Sequence, residues 1–114
     1  AAMPLSTQIE ESFTRRLAKL PRDARGLLLV AAADSTGDLA LVWRAAQRLG
    51  IPESAAPTVE SDGLVALSHG VVFRHPLVRS AAYRFASAPE RRKLKRMGVS
   101  FRAVRSMTKR ALES

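Results

Sequence analysis

The sequence predicts a mainly α-helical protein that carries one small β-hairpin. Three observations predict it. Apolar residues recur at helical spacing through residues 7–49. Two short β-prone runs, Leu64 to Leu67 and Val71 to Phe73, then break that spacing around Ser68, His69 and Gly70. Helical spacing returns after Pro76.

The first helix is expected from Thr7. Thr7 and Glu10 stand at capping-box spacing, where each side chain satisfies an orphan amide of the first turn. Ile9, Phe13, Leu17 and Leu20 follow on one face. Pro21 ends that helix and suits the opening of the next, over residues 22–33. Its LLLVAAA run, Leu27 to Ala33, is apolar nearly all round, which predicts a central, buried element. Asp34, Ser35, Thr36 and Gly37 read as a turn, with Thr36 or Asp38 as the next N-cap. Leu39, Val42, Trp43, Ala46 and Leu49 form the stripe of the third helix, and Trp43 on it reads as a core anchor. Gly50 suits a left-handed C-cap, and Pro52 prevents continuation. A short fourth helix falls between Glu53 and Asp62, with Gly63 at its end.

The hairpin comes next, with Ser68, His69 and Gly70 as its tight connection. Pro76 opens a further helix that turns Leu77, Ala81 and Phe85 inward. Ser87 and Glu90 repeat the capping-box spacing ahead of a basic final helix. Leu94, Met97, Phe101, Val104 and Ala111 mark its apolar side, which Gly98 weakens by about 1 kcal/mol relative to alanine. Helices followed by a two-stranded hairpin is the order of a winged helix-turn-helix. Residues 1–6 read as an extension, 7–86 as the winged-helix-like domain, and 87–114 as a basic tail of one or two helices.

Charge is distributed unevenly over the 114 residues. Residues 1–83 hold nine Lys/Arg against eight Asp/Glu, whereas residues 84–114 hold ten against two. The body is nearly neutral and the tail strongly basic, so the overall +9 is no argument that the body binds nucleic acid. Cysteine is absent, which removes thiol chemistry and fits the cytoplasm. Leu27 to Ala33 is the longest strongly apolar run and is far too short to span a bilayer, so no membrane association is expected.

The motifs exclude most enzyme classes. The six glycines, at 26, 37, 50, 63, 70 and 98, form no phosphate-binding loop. No zinc or calcium motif is present, and Ser68 beside His69 lacks a third, orienting group. The chain is therefore expected to be non-catalytic and to hold no cofactor or metal of its own. The richest cluster is Arg74-His75-Pro76-Leu77-Val78-Arg79, where a strand gives way to a helix. Helix-opening amides lack internal partners and favour anions, which makes His75, Arg74 and Arg79 candidate phosphate contacts. A plain capping role for His75, with solvated arginines, is the competing expectation. On the tail, Arg91, Arg92, Lys95, Arg102, Arg105 and Lys109 lie opposite the apolar line and are candidate nucleic-acid contacts. The fourth helix, in the position of a recognition helix, carries Glu53, Glu60 and Asp62 and no Lys or Arg, which argues against reading DNA bases.

Two stretches carry a family resemblance. FTRRLAKLPRDARGLLLVAAADSTGDLALVWRAAQRLGI and DGLVALSHGVVFRHPLVRSAAYRFASAPERRKL resemble the region after the ATPase core in large LuxR-type bacterial regulators of the STAND class. The resemblance covers roughly residues 10–94, and FRHPLVRSAAY is its most specific part. It implies a bacterial, cytoplasmic regulator that binds ATP and ADP through an AAA-like core, with a winged helix, a helical-repeat region and a C-terminal LuxR helix-turn-helix that binds DNA. It implies that the winged helix packs on the ATPase core and couples nucleotide state to opening and oligomerisation. It further implies that His75, which matches the phosphate-sensing histidine of such domains, meets nucleotide, with Arg74 and Arg79 as weaker candidates. The pattern departs after Leu94, where the family continues with a histidine and an Ala/Leu-rich helix and this chain has Lys95-Arg96-Met97-Gly98-Val99-Ser100.

Two functions are thus in view. One is a regulatory module whose partners are the ATPase core and helical repeats of the same polypeptide, or a second copy of itself. The alternative is a free-standing DNA-binding winged helix that gains affinity from its basic tail.

Overall fold

The structure, a computed structural model, describes residues 4–34 and 37–96. Its elements run α1 (Leu5–Ala18), α2 (Arg22–Ala33), α3 (Leu39–Arg48), α4 (Ala55–Ser61), β1 (Val65–Ala66), β2 (Val72–Phe73), α5 (Pro76–Phe85) and α6 (Ala88–Arg96). It is mainly helical with a small antiparallel hairpin, as its periodicity predicts.

Helix α2 forms the centre. Every residue from Leu27 to Ala33 is buried, with α3, α4 and α5 packed around it. A helix with no polar side has to be covered all round. Helix α1 lies against α5 and buries Leu17, while Leu20 follows it into the core. Burying each such leucine contributes about 1.5–3 kcal/mol. Trp43 packs half-buried against the same core.

The two capping boxes have different fates. Ser87 and Glu90 form theirs: Glu90 Oε1 accepts from the Ser87 amide at 3.3 Å, and Ser87 Oγ accepts from the Glu90 amide at 3.2 Å. The Thr7–Glu10 box does not form. Helix α1 begins earlier, at Leu5, with Pro4 before it and no side-chain cap. Glu10 turns inward, accepts from Ser80 Oγ at 2.6 Å and pairs with Arg84 Nε at 2.9 Å. A charge-assisted pair with α5 outcompetes a local amide.

Asp38 caps α3 by accepting from the Ala40 amide at 2.9 Å, and Gly50, at φ 75°, ends it. The hairpin places Val65 opposite Phe73 and Ala66 opposite Val72. Its connection is longer than the three residues expected, because both flanking amides bond elsewhere. Leu67 N–H donates to Glu60 Oε2 at 3.3 Å, and Val71 N–H donates to the Gly37 carbonyl at 3.1 Å. Gly70 is required in this loop: at φ 122° its Cβ position lies 3.1 Å from the Gly37 carbonyl oxygen.

The core does not end with residue 86. Leu94 of α6 is fully buried in the same cluster. Thr36, Met97, Gly98, Phe101, Val104 and Ala111 lie outside the described residues. Among the described residues no helix is long and apolar enough to cross a membrane.

Candidate phosphate-facing site at the start of helix α5

The hairpin delivers the chain to this site. Arg74 N–H donates to the Leu64 carbonyl at 3.1 Å, closing the base of the hairpin. His75 continues extended, at φ −148° and ψ 138°, and Pro76 opens α5 at the first helical position. Proline suits that position because its fixed φ is helical and its missing N–H has no role there.

His75 is the N-cap. Its Nδ1 accepts from the Leu77 amide at 3.1 Å. Nδ1 can accept only when deprotonated, so the proton of the neutral ring sits on Nε2. The ring is half-buried and packs against Phe13 with centroids 5.3 Å apart, which fixes its orientation. His75 therefore serves the fold with one nitrogen and offers a donor with the other.

This geometry corrects the anion-site expectation. Pro76 has no N–H. The Leu77 amide goes to the His75 ring, and the Val78 amide goes to the His75 carbonyl at 3.0 Å. The helix opening thus leaves no backbone amide of Pro76, Leu77 or Val78 free for an anion. Arg74 stands beside His75, exposed.

Arg79 is placed otherwise than expected. It is buried, at 8% exposure, with its guanidinium 4.7 Å from the centre of the Phe73 ring. Burial lowers its pKa from the ordinary arginine value, and the nearby Asp34 carboxylate opposes that shift. The ring contact ties α5 to β2, so Arg79 is neither solvated nor presented beside Arg74. The hydrophobic spacing of α5 concealed this, because the destination of a long charged side chain depends on distant neighbours.

The basic candidates on the tail divide. Arg91 lies half-buried with its guanidinium 5.3 Å from the Tyr83 ring, joining α6 to α5. Arg92 and Lys95 are exposed. Arg102, Arg105 and Lys109 lie outside the described residues. On α4 and its end the acids are engaged in the fold, Glu60 with Leu67 and Asp62 with Arg16 at 3.4 Å. Sequence reasoning assigned Glu10 to a capping box and missed its partners Ser80 and Arg84. The signal was there: Glu10 shares a helical face with Phe13 and Leu17, and a charge on an apolar face calls for a partner.

The site can contact an anion but cannot enclose a nucleotide. A histidine N–H and an arginine guanidinium are each donors of the kind that meet anions. Among the described residues no run of glycine amides gathers beside the site. Among the described residues no three His, Cys, Asp or Glu side chains gather to hold a metal ion. No protein-family model, curated protein or solved structure matches the chain.

Proposed function

We propose that this chain is a non-catalytic, winged-helix-like regulatory module of an ATP-dependent LuxR-type transcription regulator of the bacterial cytoplasm. In this reading it packs on the ATPase core of the same polypeptide and couples nucleotide state to opening or self-association. His75 senses a phosphate of ATP or ADP through Nε2–H, and Arg74 adds charge beside it. Arg79 holds α5 to the hairpin and leaves the sensing role.

The observation that carries the reading is the His75 cap. A ring locked by Phe13 and the Leu77 amide presents its remaining N–H in one direction, without reorganisation when a phosphate arrives. The FRHPLVRSAAY resemblance supports it independently.

The test is made in the polypeptide that includes the ATP-binding core. His75→Asp keeps an N-cap acceptor and sets a carboxylate against the phosphate. It should weaken ADP binding by about tenfold or more, measured by calorimetry, the equivalent of about 1.4 kcal/mol. The chain of 114 residues alone should hydrolyse no ATP. Unchanged ADP affinity in His75→Asp, or turnover by the chain alone, overturns the proposal.

A further inference from the structure

A cleft of about 320 Å³ opens where the start of α2, the end of α3, the end of α5 and α6 meet. Small-molecule sites range from roughly 300 to 1,000 Å³. The cleft lies at the opposite end of α5 from His75, so it stands apart from the phosphate-facing site.

Its floor and edge differ in chemistry. Leu17, Leu29, Ile51, Ala82 and Leu94 form an apolar floor, and all five belong to the core. Arg22, Arg25 and Lys93 line the edge, together with Asp23 and Glu90. Glu90 is already engaged, because its Oε1 accepts from the Ser87 amide and the Ser87 hydroxyl. Its charge remains, so three cations face two carboxylates, an excess of one positive charge.

Arg25 is the informative residue. Its guanidinium lies 5.5 Å from the centre of the Phe85 ring, and both side chains line the cleft. Its Nε is buried and meets no hydrogen-bond acceptor among the described residues. The buried Nε has no surface open to a ligand, so an acid in the cleft is met by the terminal guanidinium nitrogens. Guanidinium forks match carboxylates in shape and charge.

Gly26 and Ile51 meet closely in the lining of the cleft. A Cβ on Gly26 would stand 2.9 Å from Ile51 Cδ1. Glycine lets Ile51 sit directly on α2, and a methyl group there would force the Ile51 side chain to shift.

We propose that this cleft binds a small amphipathic carboxylate, with an aromatic or branched apolar body on the floor and its acid group at Arg25. Neither half of the lining alone selects that class. The floor alone would accept any apolar group, and the edge alone any anion.

The experiment titrates the isotopically labelled chain with 2-naphthoate and with the neutral 2-naphthalenemethanol, following amide shifts by NMR. 2-Naphthoate should give saturable shifts grouped at Gly26, Ala82, Ala86 and Leu94, and the alcohol should bind at least fivefold more weakly. Arg25→Gln should abolish the difference between the two, and Gly26→Ala should weaken both. Equal affinity for acid and alcohol in the unsubstituted chain overturns the proposal, as do unsaturable shifts or shifts confined to residues 97–114. Because that comparison needs no variant, it decides the matter even where Arg25→Gln unfolds. Retention of the difference in a folded Arg25→Gln variant overturns the role of Arg25.

Discussion

At the scale of single residues, His75 joins the fold to the proposed function through two nitrogens with separate duties. The capping duty can be measured alone. Replacing an N-cap acceptor by alanine typically costs about 1 kcal/mol, whereas asparagine is itself a strong cap. His75→Ala is expected to lose about 1 kcal/mol in urea unfolding and His75→Asn only a few tenths. Equal losses in both would mean that the Leu77 bond contributes nothing. Glu10 provides a second graded series. It is buried and faces Ser80, while its ion partner Arg84 is 68% exposed. The ion pair is therefore screened, and the buried hydrogen bond carries more weight. Glu10→Gln should cost about 0.5 kcal/mol and Glu10→Ala about 2 kcal/mol by the same measurement. Equal losses in both would show that the ion pair dominates, since each substitution removes it. His75 was legible as a cap because Pro76 fixes where the helix begins. Glu10 and Arg79 were not, because a charge on an apolar face reveals that it needs a partner and conceals which one.

At the scale of elements, legibility follows local punctuation. Pro21 and Asp34 bracket α2, and the helix occupies residues 22–33 as read from the chain. The hairpin was legible in kind and mistaken in length, since Glu60 and Gly37 draw away the amides that would have tightened it. The two capping boxes make the same point with identical spacing. Glu90 is exposed and, among the described residues, bonds only to Ser87, so its local bonds persist. Glu10 meets Ser80 and Arg84, so its local bonds are abandoned. Ser87→Ala should therefore cost about 1 kcal/mol. The loss should be confined to α6, seen as faster amide exchange over residues 88–92 with α2 unaffected. Uniformly faster exchange throughout the chain would place α6 in the same cooperative unit as α2.

At the scale of the whole molecule, core and charge follow different boundaries. Composition divides the chain near residue 84, where the excess of cations begins. Packing does not, because α6 contributes Leu94 to the core and Arg91 to the Tyr83 ring. A deletion designed on charge alone would remove both and confuse unfolding with loss of affinity. Ending the chain after Arg96 keeps them, whereas ending it after Tyr83 leaves a core cavity of the kind that costs about 2–5 kcal/mol. The first truncation should melt close to the full chain, and the second far below it. Residues 97–114 include Arg102, Arg105, Lys109 and Arg110. If each neutralises one phosphate, removing them should lower the slope of log affinity against log salt by about 3 to 4 in binding to random DNA. The truncated chain should then show no sequence preference in a mobility assay, since α4 brings no cation to a groove and its neighbouring acids repel the backbone. Sequence-specific binding that survives the truncation would assign base reading to the body and favour a free-standing DNA-binding protein over a module built to pack on an ATPase.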